Sequence, residues 1–442
     1  MFLRILALSS FALIAADTAM APWVRSFVVG FYEPAFRYGG RADYSRGTEI
    51  EPGVDCPHGS TTHFANPAQA FKALSLIPWR SKQEIEALSN PPTTSLNRDG
   101  AGVYYPIWRA ASAYRGYNRD IETYINPFAA EDPGQPQVTS RIGEGFNLDG
   151  KIKPTDFVSP DGEKGIDNAL YRAWGCDAPW RGNGNGLLVL RSNDKMLEGL
   201  YTVVIRISGN KDPMNDDDAT LEIGYSPDKI VKDARGNVGS DFSYRILKSE
   251  QYTKLKATIR DGVVETEQAP EIHMPQIAWF GNQTKDARFH QGKIRVTVNP
   301  DGSAAALVGG YRDWRDLYAQ NVFAQDGGQQ GVREHEDHIA LYYALRRHAD
   351  GMFNPKTGRY DGVSSAYRLK LAPAFVMDPD KPMEIPIIAG DARRKKSYDV
   401  TTAAMIKATT TLVPQDVPPG SGEEAVGRGG VPIEPRRGGR KQ

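Results

Sequence analysis

A mainly β fold, an antiparallel sandwich of the jelly-roll or lectin-like kind, is what this sequence predicts. Three observations carry that expectation. Short runs rich in Val, Ile and Leu recur from about 187 to 308, each bounded by Gly, Asn or Asp, which is the pattern of short strands closed by turns. Gly 44 and Pro 30 in 442 residues favour turns over long helices. Strands alternating with long helices, the mark of a parallel α/β sheet, do not appear.

The first 21 residues read as a secretory signal peptide. Arg4 supplies a basic start, Ile5 to Ala16 an apolar run, and Ala19-Met20-Ala21 a small-x-small exit, the features an export peptidase needs. Pro22 follows that exit and is a poor residue there, so cleavage is expected to shift or slow. The apolar run is shorter than the ~20 residues that span a bilayer. No transmembrane span is therefore expected after signal removal, and the mature chain should be periplasmic or extracellular. Outside the cytoplasm, nucleotide-driven chemistry is not expected.

Residues 22–145 read as an irregular region with short helices. Phe27 to Phe36 suits a strand broken at Pro34. Asn66-Pro67 opens a helical pattern through Ala68, Phe71, Leu74 and Ile77, and Ser81 caps a second, Gln83 to Leu88. Val103 to Tyr117 is aromatic-rich and fits either strand or helix. This segment is expected to cover one sheet or edge of the sandwich.

Residues 146–412 form the expected sandwich domain. Its strands are Leu187 to Leu190, Leu200 to Ile207, Thr220 to Tyr225, Phe242 to Ile246, Tyr252 to Ile259, Ile277 to Phe280, Lys293 to Val298 and Ala304 to Val308, followed by Ser365 to Phe375. Asp261-Gly262 and Asp301-Gly302 are tight-turn pairs. One packed helix, 336–348, sets Ile339, Tyr342, Tyr343 and Arg346 along one side. Residues 413–442 hold Pro, Gly and charge with few large apolar side chains, and are expected to be disordered.

Charge is balanced, 54 basic against 54 acidic residues, so the clustered cations that bind nucleic acid are missing. Gly182-Asn183-Gly184-Asn185-Gly186 precedes a strand pattern rather than a helix, so it lacks the dipole of a phosphate loop. No C-x-x-C-H occurs, which excludes covalent c-type haem. The two cysteines, Cys56 and Cys176, are expected to form one disulfide in an oxidising compartment.

Several clusters are candidate sites. Asn147-Leu148-Asp149-Gly150, Asp156 and Asp161 through Asp167-Asn168 combine oxygen donors with glycines, as Ca²⁺ loops do, although a solvated turn has the same composition. Asp212, Asp216, Asp217 and Asp218 form the strongest Ca²⁺ candidate, set between two expected strands; the plainer reading is a solvated turn that discourages edge-to-edge pairing. His335 and His338 are three apart and would share a helical face, which suits Zn²⁺ or Cu²⁺; the plainer reading is a charged helix start. Glu33, Glu144 and Asp149 are candidate catalytic carboxylates. Tyr104, Tyr105, Trp108 and Trp180 could stack on sugar rings, or simply fill a core.

These features point first to an exported protein that binds a carbohydrate or similar polar ligand, with Ca²⁺ as a stabiliser. A secreted hydrolase or lyase using paired carboxylates or a His-ligated transition metal is the enzymatic alternative. A structural partner in a cell-envelope assembly is the third.

Overall fold

The computed structural model of the chain describes residues 22–37, 136–176, 201–249, 251–276, 285–323 and 338–379, with short pieces at 41–43, 48–51, 55–57, 193–194 and 196–199 and single residues at 83, 132, 134 and 189. Its strands are β1 (Trp23–Pro34), β2 (Arg41–Asp43), β3 (Thr48–Glu51), β4 (Phe157–Val158), β5 (Lys164–Ile166), β6 (Thr202–Gly209), β7 (Asp216–Ser226) and β8 (Phe242–Arg245). They continue as β9 (Thr253–Arg260), β10 (Val263–Thr266), β11 (Ala269–Gln276), β12 (Lys285–Val298), β13 (Ala304–Asp313), β14 (Gly351–Asn354) and β15 (Arg359–Met377). Three short helices whose residues are described accompany them: α1 (Ala169–Trp174), α2 (Trp314–Phe323) and α3 (His338–His348).

The expected sandwich is corrected to a closed barrel. Eight antiparallel strands follow one another in the order β1, β6, β7, β9, β10, β12, β13, β15, and β15 returns to β1. β1 makes the closure. Its first half pairs with β6, as in Phe27↔Ile205 and Val28↔Val204, and its second half with β15, as in Val29↔Leu371 and Tyr32↔Leu369. A segment expected to lie over a sheet is thus the strand that joins its two ends. A sandwich and a barrel share the same period-2 pattern, and only the pairing of these distant strands separates them.

Register explains the interior. Ile205↔Ile223, Leu221↔Leu255, Val264↔Val296, Ile294↔Val308 and Ala306↔Leu369 put apolar side chains opposite one another around the ring, and all are buried. Eight strands leave an interior that side chains can fill. Tyr32 and Tyr201 meet there through their hydroxyls at 2.9 Å, and buried Arg312 donates from Nη1 to the Tyr367 hydroxyl at 2.9 Å.

On β9, Leu255, Ala257 and Ile259 are buried while Lys254, Lys256 and Arg260 are exposed. That polarity is opposite to the apolar outer band of a lipid-facing barrel. Among the described residues, no helix is long and apolar enough to cross a membrane.

These helices pack against β15, α2 also against β13, and α3 against both α1 and α2. Trp314 and Tyr318 of α2 meet Tyr342 of α3 edge to face, with centroids 5.6 and 5.5 Å apart, a geometry that ring quadrupoles favour. Just past α1, Cys176 is bonded to Cys56, so the expected disulfide is present.

Several local expectations change. Val189 is helical where Leu187 to Leu190 was expected to be a strand, and α1, α2, β10 and β11 lack a clear periodic signal. The α3 helix runs from His338 within the expected 336–348. The expected strand Ile277 to Phe280, the aromatic run 103–117 and the tail 413–442 lie outside the described residues.

Candidate functional site

The sequence-derived candidates fall into separate places. Glu33 of β1 and Glu144 meet at one guanidinium: Arg368 of β15 reaches Glu33 Oε1 from Nη2 at 3.1 Å and Glu144 Oε1 from Nη1 at 3.0 Å. Burial pushes the Glu33 carboxyl up and Arg368 pulls against it. Nη2 also donates to the Phe36 carbonyl at 2.8 Å. These two carboxylates therefore tie β1 and the 138–146 segment to β15.

Asp149 lies elsewhere, with Lys153 Nζ 2.6 Å away and the Lys151 amide donating to it at 2.9 Å. Partial burial works against ionisation there, but the Lys153 and Lys151 contacts outweigh it and hold the carboxyl below its usual range.

The hairpin between β6 and β7 uses its aspartates on the backbone. Buried Asp216 accepts from the amides of Asn210 at 3.1 Å, Lys211 at 3.0 Å and Asp218 at 2.9 Å. Against the opposing effect of desolvation, these amides hold its carboxyl low. Asp212 accepts from the Met214 amide at 3.0 Å, and Asp217 pairs with Lys211. Among the described residues, no three His, Cys, Asp or Glu groups gather where a metal ion could be held. His338 opens α3, while His335, Tyr104, Tyr105, Trp108 and Trp180 lie outside the described residues.

The densest chemistry forms a row that sequence reading missed. Glu271 of β11 stands opposite His290 of β12, His290 opposite Tyr311 of β13, and Tyr311 opposite Ser364 of β15. Directly opposed residues have Cβ atoms about 4.5–5.5 Å apart, so four hydrogen-bonding side chains cross the sheet in line. Their neighbours Ile272 and Phe289 are buried, which places the row on the outer face.

At its open end, Glu271 holds two imidazoles. His273 Nε2 is 2.8 Å from Oε1, and His290 Nδ1 is 3.1 Å from Oε2. At the other end Tyr311 is buried beneath the β14–β15 hairpin. Gly351 lies so close that a Cβ there would sit 2.2 Å from the Tyr311 ring. Phe146 and Leu148 of the covering loop pack on the same ring system.

Two carboxylates flank this end. Asp350 accepts from the Ser364 amide at 2.8 Å and the Ser364 hydroxyl at 2.6 Å. The same hydroxyl oxygen accepts from the Ala169 amide at the start of α1, at 2.8 Å. Buried Asp167 accepts from the Leu148 amide at 2.7 Å, and the next residue, Asn168, caps α1 through the Tyr171 amide at 3.2 Å.

Burial pushes Asp167 up to about 6, opposed by the Leu148 amide and reinforced by Asp149. Burial likewise pushes Asp350 up to about 7, opposed by both Ser364 donors and reinforced by the field of Asp167. Burial and the fields of Asp167 and Asp350 raise the Tyr311 phenol as well. The cluster can thus store protons near neutrality, an arrangement concentrated at functional sites.

The loop Asn147 to Asn168, flagged from sequence for its carboxylates, is what covers this end of the row. The alternation of strand side chains already puts Glu271 and His273 on one face. His290, Tyr311 and Ser364 join them only through strand register. No family model, no protein of curated function and no solved structure matches this chain.

Proposed function

We propose that this is an exported protein that binds a carbohydrate or similarly polar ligand on the outer face of the barrel, beside the Asn147 to Asn168 loop. The observation that carries this reading is the exposed end of the cross-strand row, Glu271 opposite His290 with His273 beside them; Tyr311 and Ser364 at the other end are buried. A sugar offers many hydroxyls, and a carboxylate beside an imidazole can accept from and donate to more than one of them. Glu271 and His290 side chains are 28 % and 32 % exposed, so a ligand can reach them. The signal-like leader and the disulfide support export.

Isothermal titration of the mature protein against a glycan panel tests the proposal. Heat with at least one glycan, reduced by Glu271→Ala, is expected. No heat with any member of the panel overturns it. A parallel titration with a chelator, followed by melting, tests whether Ca²⁺ stabilises the protein.

The hydrolase reading keeps one specific support, the pairing of Glu271 with His290 at 3.1 Å. The Glu33 and Glu144 pair is a weaker basis for it, because both carboxylates are held on Arg368.

A further inference from the structure

We propose that His290, steered by Glu271, is the general base of an ester-hydrolysing centre on the outer face of the barrel. This reaches beyond ligand binding and does not depend on the ligand being a sugar.

Geometry carries the inference. Glu271 has one imidazole on each oxygen, His273 Nε2 at 2.8 Å from Oε1 and His290 Nδ1 at 3.1 Å from Oε2. The two rings are unequal: the His273 side chain is 13 % exposed and the His290 side chain 32 %. The deeper ring anchors one oxygen and stops the carboxylate from turning. The other oxygen then receives the Nδ1–H of His290 and leaves the lone pair on Nε2. A carboxylate that fixes the tautomer and direction of a histidine is the orienting half of a base-catalysed site.

The backbone supports the same role. His290 pairs with Tyr311 and Lys293 with Gly309, so β12 spends one extra residue between these points. Within this bulge Gln291 adopts φ 51°, a left-handed conformation uncommon outside glycine. Bulges redirect side chains and recur beside active sites. Gly292 and Gly310 pack tightly around the bend: a Cβ on Gly310 would lie 2.8 Å from the His290 carbonyl oxygen. The sheet has made room for this distortion rather than smoothing it.

The step balances without a further reagent. Nε2 takes a proton from water as the water oxygen bonds to the ester carbonyl carbon. Collapse of that adduct breaks the bond to the alcohol oxygen, and the imidazolium returns its proton to the departing alkoxide. An ester and water become a carboxylic acid and an alcohol. Glycoside cleavage instead takes two carboxyls flanking the bond, whereas one oriented imidazole meets the demand of an ester.

The test uses the mature, disulfide-intact protein and 4-nitrophenyl acetate, with free imidazole at equal concentration as reference. The protein is expected to outpace imidazole, and His290→Gln to lower the rate roughly 100-fold, within the range of general-base effects. Glu271 is a positioning residue. Glu271→Gln is expected to lower kcat about tenfold with KM unchanged, and Glu271→Asp to recover part of the loss.

Melting by circular dichroism verifies that each variant is folded. Should His290→Gln fail to fold, His290→Asn and the Glu271 variants carry the same comparison. Wild-type protein no faster than imidazole, or a folded His290 variant at the wild-type rate, overturns the proposal. Calorimetry with the glycan panel on His290→Gln separates the two readings. Retained glycan heat with lost hydrolysis supports the base role, and retained hydrolysis overturns it whatever the heat shows.

Discussion

At the scale of single residues, two side-chain arrangements have consequences that can be measured. Near the end of β1, where the strand has left β6 behind, Asn193 takes over the free edge of Tyr32. Its Oδ1 accepts from the Tyr32 amide at 2.9 Å and its Nδ2 donates to the Tyr32 carbonyl at 2.8 Å. Asn193 is buried, and Asn193→Ala leaves both backbone groups unsatisfied away from water. A loss of about 2–3 kcal/mol in urea unfolding is expected. The second arrangement is the pair Asp167 and Asp350, pushed up to about 6 and about 7. Both values exceed the ordinary ~3.9 of an unfolded aspartate, so the folded state binds protons more tightly. Their contribution to stability is complete below about pH 4 and is lost as pH rises through 6 and 7. Urea midpoints measured from pH 4 to 8 should fall across that window, and Asp350→Asn should flatten the fall.

At the scale of elements, α1 shows how a weak piece is held. Its six residues are far too few for an isolated helix. Asn168 caps it, and the Asn168 Nδ2 donates to the Glu144 carbonyl at 2.7 Å and the Ala35 carbonyl at 3.2 Å. Ser364 receives its first amide, and the bond to Cys56 follows its end. The same helix therefore links β1, the covering loop and the Asp350 cluster. Removing the bond with Cys56→Ser and Cys176→Ser should cost about 2–5 kcal/mol, read from urea unfolding under non-reducing conditions. Because the covering loop rests on α1, glycan heat should weaken in the same variant even where the barrel stays folded. An unchanged midpoint would show that the 120-residue separation is already constrained by other contacts.

At the scale of the whole molecule, closure decides behaviour. Closing the ring covers both edges of its eight strands, and here that closure rests on β1, which pairs on both sides, while β8, β11 and β14 lie off the ring. Deleting residues 22–34 should expose the edges of β6 and β15 together. The expected result is association, seen as early elution on size-exclusion chromatography at concentrations where the full mature chain elutes as one species. Monomeric behaviour with an unchanged melting temperature would mean that β6 and β15 find each other without β1. The site is lined up by the β12–β13 and β13–β15 registers of the ring together with β11, which pairs with β12 off the ring.

Strand content was legible where alternation was clean, as in Leu255, Ala257 and Ile259 against Lys254, Lys256 and Arg260. The Asp261-Gly262 turn was equally legible, and both residues take positive φ, 49° and 78°, as a two-residue hairpin requires. The carboxylate-rich loop 147–168 was visible too, through its composition. Glu271 and His273 share a face once β11 is known to be a strand. Their partner does not follow from that, because His290 reaches Glu271 through a β11–β12 register that a bulge then alters. Likewise Glu33 and Glu144, both suspected, meet only because Arg368 stands opposite Glu33 on a strand more than 300 residues later. By itself the sequence determined many of the strands, the apolar face of those with clean alternation, and which two cysteines were present to bond. Tertiary structure alone decided that the sheet closes on itself and that its polar side chains form one row, because local periodicity chooses a side chain's face while only long-range pairing chooses its neighbour.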